Sequence, residues 1–268
     1  MNVADVVACT LAREVRDGDV VGVGLGTPLA LCACLLARRT GAPGASVLVA
    51  GAVSPDATLL DCLGGPAALA GRTAGFVPHL DTMDMAERQA MTLQFLRPAQ
   101  VGADGSANTS RVAAGGRLVR FPGGLATADV PNLLPRLVYY HTAHEPRALP
   151  PVLGFRTAAG GGIERAGYRA RGPVALVTDR CVIAFAETGP RLASVHEGED
   201  AGAVAAATGF ALDVPGDVPT TRGPTDSELA ALDEIDPHRI RELEFRDLRA
   251  AAEERLRGLR ATERSHRA

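Results

Sequence analysis

The nucleophiles and bases that this 268-residue chain lacks narrow its chemistry first. There is no lysine: all 28 basic side chains are arginine. A Schiff-base lysine, a Walker A lysine and a lysine general base are therefore excluded. Five cysteines occur, Cys9, Cys32, Cys34, Cys62 and Cys181, an odd number with no C-x-x-C pair. The step from Cys32 to Cys34 does not suit a zinc knuckle, so the five read as small buried hydrophobes in a reducing compartment. Ser54 has no G-x-S-x-G elbow around it and no histidine near it in sequence, which argues against a serine hydrolase. His144 beside Glu145 could carry an oriented imidazole, although a charged surface turn is the expected setting. His141 and His144 stand three apart, a metal-binding spacing only on a helix. Tyr139-Tyr140 and Pro146 argue for extended chain there, so no metal is assigned. His79 follows Pro78 in a loop and remains a candidate.

The glycine turns are the second source of chemistry. Gly22-Val23-Gly24-Leu25-Gly26 is spaced G-x-G-x-G, not G-x-G-x-x-G, and no acid ends the following strand, so a dinucleotide cofactor is not expected. Gly123 and Gly124 could bring backbone N–H groups against a substrate, or make a tight turn that needs positive φ. Gln100 and Asn108 are expected to hold loops by side-chain to backbone bonds, with ligand contact as the alternative.

These residues need elements to position them. Residues 3–15 carry apolar groups at Val3, Val6, Val7, Leu11 and Val15, one face of a helix. Residues 20–24 read as a buried strand. Pro28 suits the first turn of a helix over 29–39, and residues 46–49 form a second buried strand, so one right-handed βαβ crossover is expected. Residues 85–96 read as a helix or a helix–strand junction, 118–121 as a strand, and 133–141 as ambiguous with a strand at Leu137-Val138-Tyr139-Tyr140. Residues 157–162 form a glycine-rich loop. Residues 173–177 and 181–185 pair through Thr178-Asp179-Arg180, and 201–208 form a short helix ending at Gly209. Thr225-Asp226-Ser227-Glu228 fits a capping box, and Asp236-Pro237 is expected to start the last helix. No internal repeat is visible. Thirty glycines clustered in turns between apolar strands suit an open parallel α/β sheet with its site above the carboxyl ends of the strands.

Composition excludes other classes. Hydrophobic residues make up 46% and charged residues 22%, ordinary for a soluble protein. A formal net charge of −3 leaves no basic field for nucleic acid. Residues 20–37 are uncharged, but Gly22, Gly24, Gly26 and Pro28 interrupt them, so no membrane span is expected. The first sixteen residues lack the pattern of a signal peptide. A cytoplasmic protein is expected.

Four stretches in order resemble the β subunits of the family I coenzyme A transferases, glutaconate type. They are residues 19–29, residues 99–110, Phe121-Pro122-Gly123-Gly124 with His144-Glu145-Pro146-Arg147 further on, and residues 207–214. Residues 224–226 and 235–237 also match, and the likeness runs from about residue 3 to about residue 245. It implies an α/β fold, an open αβα sandwich with a mostly parallel sheet, of the CoA-transferase and ribose-5-phosphate isomerase kind. It implies one domain over residues 1–245 with a charged C-terminal helix or tail over 246–268. It further implies a homologous α-type partner in a heterodimer or heterotetramer, an acyl-CoA substrate and no tightly bound cofactor. Substrate or coenzyme A contacts would come from Gly26, Thr27, Ala50, Gln100, Asn108, Gly123 and Gly124.

In the transferases of this family a β-subunit glutamate just after the second strand attacks the thioester, because the reaction needs a group that is both nucleophile and leaving group. Here that place falls on Ala50, or on Ala52 if the loop is slipped by two, and neither is a carboxylate. Asp56, six residues on and directed by Pro55, is the nearest acid. Family members also often have asparagine two residues beyond the glycine pair, where this chain has Ala126. Members without the glutamate exist, and some pairs use an α-subunit glutamate to hydrolyse carbon–carbon bonds in cyclic acyl-CoA thioesters. The expected activity is therefore of hydrolase or lyase type. The alternative is a structural subunit that only stabilises an α-type chain. Sugar-phosphate isomerases and sensors share the architecture but commonly use lysine, which this chain lacks.

Overall fold

In the computed structural model, which describes residues 2–53, 57–160 and 172–267, the first helix starts where a short polar side chain can cap it. Asn2 accepts a hydrogen bond from Ala4 N–H at 2.9 Å and opens α1, Val3–Ala12. Strand β1, Val20–Val23, follows, and Pro28 takes the first turn of α2, Pro28–Thr40, where its missing N–H costs nothing. Then come β2, Ser46–Val49, and β3, Ala52–Val53, paired antiparallel, with Val49 opposite Ala52. Helices α3, Leu59–Gly64, and α4, Pro66–Leu69, lead to β4, Gly75–Phe76, which pairs with β3.

The described residues fall into two compact units. The first holds Met1–Gly18, Val23–Phe76 and Pro224–Ala268; the second holds Asp19–Gly22 and Val77–Gly223. In the second unit α5, His79–Glu87, precedes β5, Leu93–Leu96, so residues 85–96 are a helix–strand junction. Short strands β6, Gln100–Val101, and β7, Ala107–Asn108, pair with each other, as do β8, Arg111–Ala114, and β9, Arg117–Arg120. After α6, Val130–Leu133, come β10, Leu137–His141, β11, Pro173–Thr178, β12, Cys181–Ala186, β13, Gly189–Val195, and α7, Ala201–Ala206. The strand order in this unit is β13-β12-β11-β10-β5-β1. Its inner run β1, β5, β10 and β11 is parallel, and β12 and β13 are added antiparallel. Strand β10, inside the parallel run, is apolar on both faces: Leu137, Val138, Tyr139 and Tyr140 are all fully buried.

The chain then returns to the first unit with α8, Asp226–Ile235, whose capping box is present as the sequence predicts. Thr225 Oγ1 accepts from Glu228 N–H at 3.2 Å and Glu228 Oε2 accepts from Thr225 N–H at 2.7 Å. The expectation that Asp236-Pro237 opens the last helix is corrected. Asp236 ends α8, and its carboxylate accepts from Ile240 and Arg241 N–H groups at 2.7 and 3.0 Å. That geometry winds Ile240–Glu244 into a 3-10 helix, and α9 runs Arg246–Arg267. Helix α2 packs on α1, α8 and the 3-10 helix. The α/β architecture is as expected. No described helix is long and apolar enough to cross a membrane.

Candidate functional site

In the first unit the sequence-predicted residues sit on two adjacent turns. Gly26 has φ +69° with open space where a Cβ would be, and its N–H reaches the Cys62 carbonyl at 3.3 Å. Thr27 precedes α2, but its hydroxyl donates backward to the Gly24 carbonyl at 2.6 Å instead of capping the helix. The cap comes from far along the chain: buried Glu244 accepts from Leu29 N–H at 2.9 Å. A carboxylate there complements the positive helix terminus.

Ala50 is the second turn. It and Gly51 are the two residues between β2 and β3, with φ +48° and +87°. Positive φ at both central positions is the mark of a type I′ hairpin, which favours Asn, Asp or Gly. The Ala50 N–H donates to the Val23 carbonyl at 3.0 Å, which joins this turn to the end of β1. Ala50 is solvent-exposed, whereas Ala52, the slipped alternative, is fully buried as a strand residue. Left-handed alanine costs roughly 1–2 kcal/mol over the right-handed form. Strain of this kind gathers at functional positions. Asp56, like Ser54, lies outside the described residues.

In the second unit Gln100 and Asn108 are buried and bonded to each other and to loops. Asn108 Nδ2 donates to Gln100 Oε1 and to the Arg111 carbonyl, both at 2.8 Å, while its Oδ1 accepts from Ser110 and Arg111 N–H groups at 3.0 and 3.2 Å. Gln100 Nε2 donates to the Arg147 carbonyl at 3.1 Å, and its Oε1 also accepts from Gly154 N–H at 2.9 Å. These bonds are those of the loop-holding reading.

Gly123 has φ +99°, so glycine is needed there, and its carbonyl accepts from both Thr109 Oγ1 at 2.8 Å and Thr127 Oγ1 at 3.0 Å. A Cβ on Gly124 would meet Thr157 Cγ2 at 3.3 Å. Thr157 Oγ1 in turn accepts from Thr109 N–H at 2.9 Å and bonds to Ser110 Oγ at 2.7 Å. Ala126, two residues on, has φ +59°, another left-handed alanine. The hydroxyl set of Thr109, Ser110, Thr127 and Thr157 was not foreseen; the only sequence signal is the density of Ser and Thr over residues 106–110.

The histidines are not assembled into a catalytic pair. His79 opens α5 and is exposed. The expectation of a surface turn for His144 is corrected: it is buried, with Nδ1 3.1 Å from Thr178 Oγ1 and Nε2 2.9 Å from Thr208 Oγ1. Burial, with Arg180 nearby, pushes its pKa down to about 4, so the ring is neutral at pH 7. His141 ends strand β10, and no group of three or more metal-ligating side chains occurs among the described residues. All five cysteines are buried, and burial raises the Cys9 and Cys181 thiols to about 12, far from reactive values.

No protein-family model matches the chain. It is 30% identical over 233 residues to the B-type subunit of the 3-oxoadipate CoA-transferase of Pseudomonas knackmussii, covering 82% of this chain and 88% of that one. The crystal structure of the decarboxylase AibA/AibB matches with a TM-score of 0.80 and 30% identity, over 91% of this chain and 98% of its own. Glutaconate coenzyme A-transferase from Acidaminococcus fermentans matches with a TM-score of 0.74 over 88% of this chain and 94% of its own, a likeness of fold at 21% identity. Fold and turns together define an α/β sandwich of the CoA-transferase kind. The chain belongs to the family I coenzyme A transferases, as a β-type subunit.

Proposed function

We propose that the chain is the β-type subunit of a cytoplasmic heteromeric enzyme that acts on an acyl-CoA thioester by hydrolase- or lyase-type chemistry, without transferring coenzyme A. The observation that carries this is the methyl group at Ala50. It stands exposed on the left-handed turn after β2, at the place where the family resemblance puts the attacking glutamate. A methyl can neither attack a thioester nor release coenzyme A, and loss of a covalent nucleophile commonly costs on the order of a millionfold in turnover. One 30%-identical relative is a CoA-transferase subunit and another is a decarboxylase, so both chemistries are found at this level of similarity. An α-type partner would supply the reacting carboxylate. Gly26, Thr27 and Ala50 would line the acyl-CoA path on the first unit. Within the second unit taken by itself, Gly123 and Gly124 would offer backbone contacts to ligand, with the Gly124 N–H, which has no acceptor among the described residues, as the available donor. Gln100 and Asn108 would shape that region from behind.

The lack of a polar side chain at Ala50 and at Ala126 also favours a second reading, a structural subunit that contributes no substrate contact. Product analysis of the complex with acyl-CoA and a second carboxylic acid separates the cases. The expected products are free coenzyme A or a cleaved acyl chain, and no thioester of the second acid. Formation of that thioester would overturn the proposal. Gly124→Val should abolish turnover with the complex intact; unchanged turnover would favour the structural subunit.

A further inference from the structure

We infer that Glu244 is a positioning residue for the Gly24–Thr27 turn, and that it reserves the start of α2 for the uncharged part of an acyl-CoA, the pantetheine arm and its thioester. The inference rests on the acyl-CoA reading above. All the residues that carry it lie in the first unit.

A glycine-rich turn between a strand and a helix is ordinarily a phosphate cradle, because the first N–H groups of the helix are open and its positive end draws an anion. Here three of the positions are closed. Pro28 has no N–H, the Leu29 N–H donates to Glu244 Oε1 at 2.9 Å, and the Gly26 N–H donates to the Cys62 carbonyl at 3.3 Å. Glu244 is 5% exposed, so its negative charge stands, little screened by water, at the place a phosphate would take. An uncharged group meets no such repulsion.

The carboxylate also shapes the turn. Thr27 stands at the N-cap position, where its own hydroxyl could have capped α2. With Glu244 in that role, the hydroxyl turns back and closes on the Gly24 carbonyl at 2.6 Å. The Cys62 thiol meets the same carbonyl at 3.7 Å from α3. A local hydroxyl would cap the helix without burying a charge, so a carboxylate 215 residues away bears on the turn and not on the helix alone. Its aim is fixed before any ligand arrives. Glu244 closes the 3-10 helix that Arg241 ties to Asp5 and that Asp236 winds through the Ile240 and Arg241 N–H groups.

The test is steady-state kinetics of the complex with an acyl-CoA and with the matching acyl-pantetheine, which has no phosphate. Glu244→Ala should raise KM roughly tenfold for both thioesters with kcat kept, the pattern of lost uniform binding. Glu244→Gln keeps an acceptor for the Leu29 N–H and should keep the wild-type KM for acyl-pantetheine. Inorganic phosphate should not compete with acyl-pantetheine in wild type and should compete in Glu244→Gln, where the charge is gone. Asn2→Ala, which removes the cap of α1 and a bond to Glu242, should lower the melting temperature and leave KM unchanged. An unchanged KM in Glu244→Ala, an equal rise in Asn2→Ala, or phosphate competition in wild type would each overturn the inference while leaving the acyl-CoA reading standing. The phosphate arm needs only wild type and Glu244→Gln, so it decides the matter if Glu244→Ala does not fold. A wild-type complex that turns over neither thioester would overturn the acyl-CoA reading, and this inference with it.

Discussion

Ala50 carries the account at the scale of single residues. Its backbone keeps the positive φ of a hairpin turn that suits asparagine or glycine, yet its side chain offers no chemistry. Ala50→Gly should therefore raise stability by roughly 0.5–1 kcal/mol, the left-handed penalty less the extra chain entropy of glycine. Urea unfolding measures this; a lower midpoint with an unchanged slope would show that the turn is unstrained. The strand-then-turn position of residue 50 was legible in the sequence because the apolar run Val47-Leu48-Val49 is followed by Ala50-Gly51. The sign of φ was not, since it depends on β3, a two-residue strand too short to show any alternation. His144 was misread for a different reason. Its partners Thr178 and Thr208 lie 34 and 64 residues away, so no local pattern announces its burial.

Among elements, the helices were the most legible part. Apolar spacing marked α1, proline marked the start of α2, and the Thr225–Glu228 box marked α8. The C-terminal turn was not legible, because it is set by a buried charge cluster. Arg241 donates to Asp5 Oδ1 at 2.7 Å and to Asp236 Oδ2 at 2.9 Å, and the Arg241 and Asp236 side chains are each 1% exposed. This cluster ties the 3-10 helix to α1, and Glu244, three residues after Arg241, caps α2 beside Thr27. Removing the cation would leave two carboxylates buried without it. Arg241→Ala should cost about 3–5 kcal/mol, read from chemical denaturation. A loss under 1 kcal/mol would mean that water or rearrangement replaces the guanidinium.

On the scale of the whole molecule, acid should weaken the fold in a defined window. The folded pKa of His144, about 4, lies below its ordinary value of 6.5. The unfolded chain therefore binds the extra proton first. The contribution of the neutral ring is complete above pH 6.5 and is lost as pH falls towards 4, at about 1.4 kcal/mol per pH unit. Between pH 7 and pH 5 wild type should lose about 2 kcal/mol that His144→Asn does not lose; equal losses in the two proteins would contradict the assignment. The fold class was legible from apolar strands separated by glycine turns, and the family from the order of four short stretches. The division into two units was not, because the chain leaves the first twice, over Asp19–Gly22 and over Val77–Gly223.

The most direct test of the missing nucleophile is intact-mass spectrometry of this subunit after the complex has been incubated with acyl-CoA and quenched. The account predicts the unmodified mass of the 268-residue chain at every time point. A mass increase equal to coenzyme A less water, or to the acyl group, mapped to a carboxylate of this chain, would contradict it.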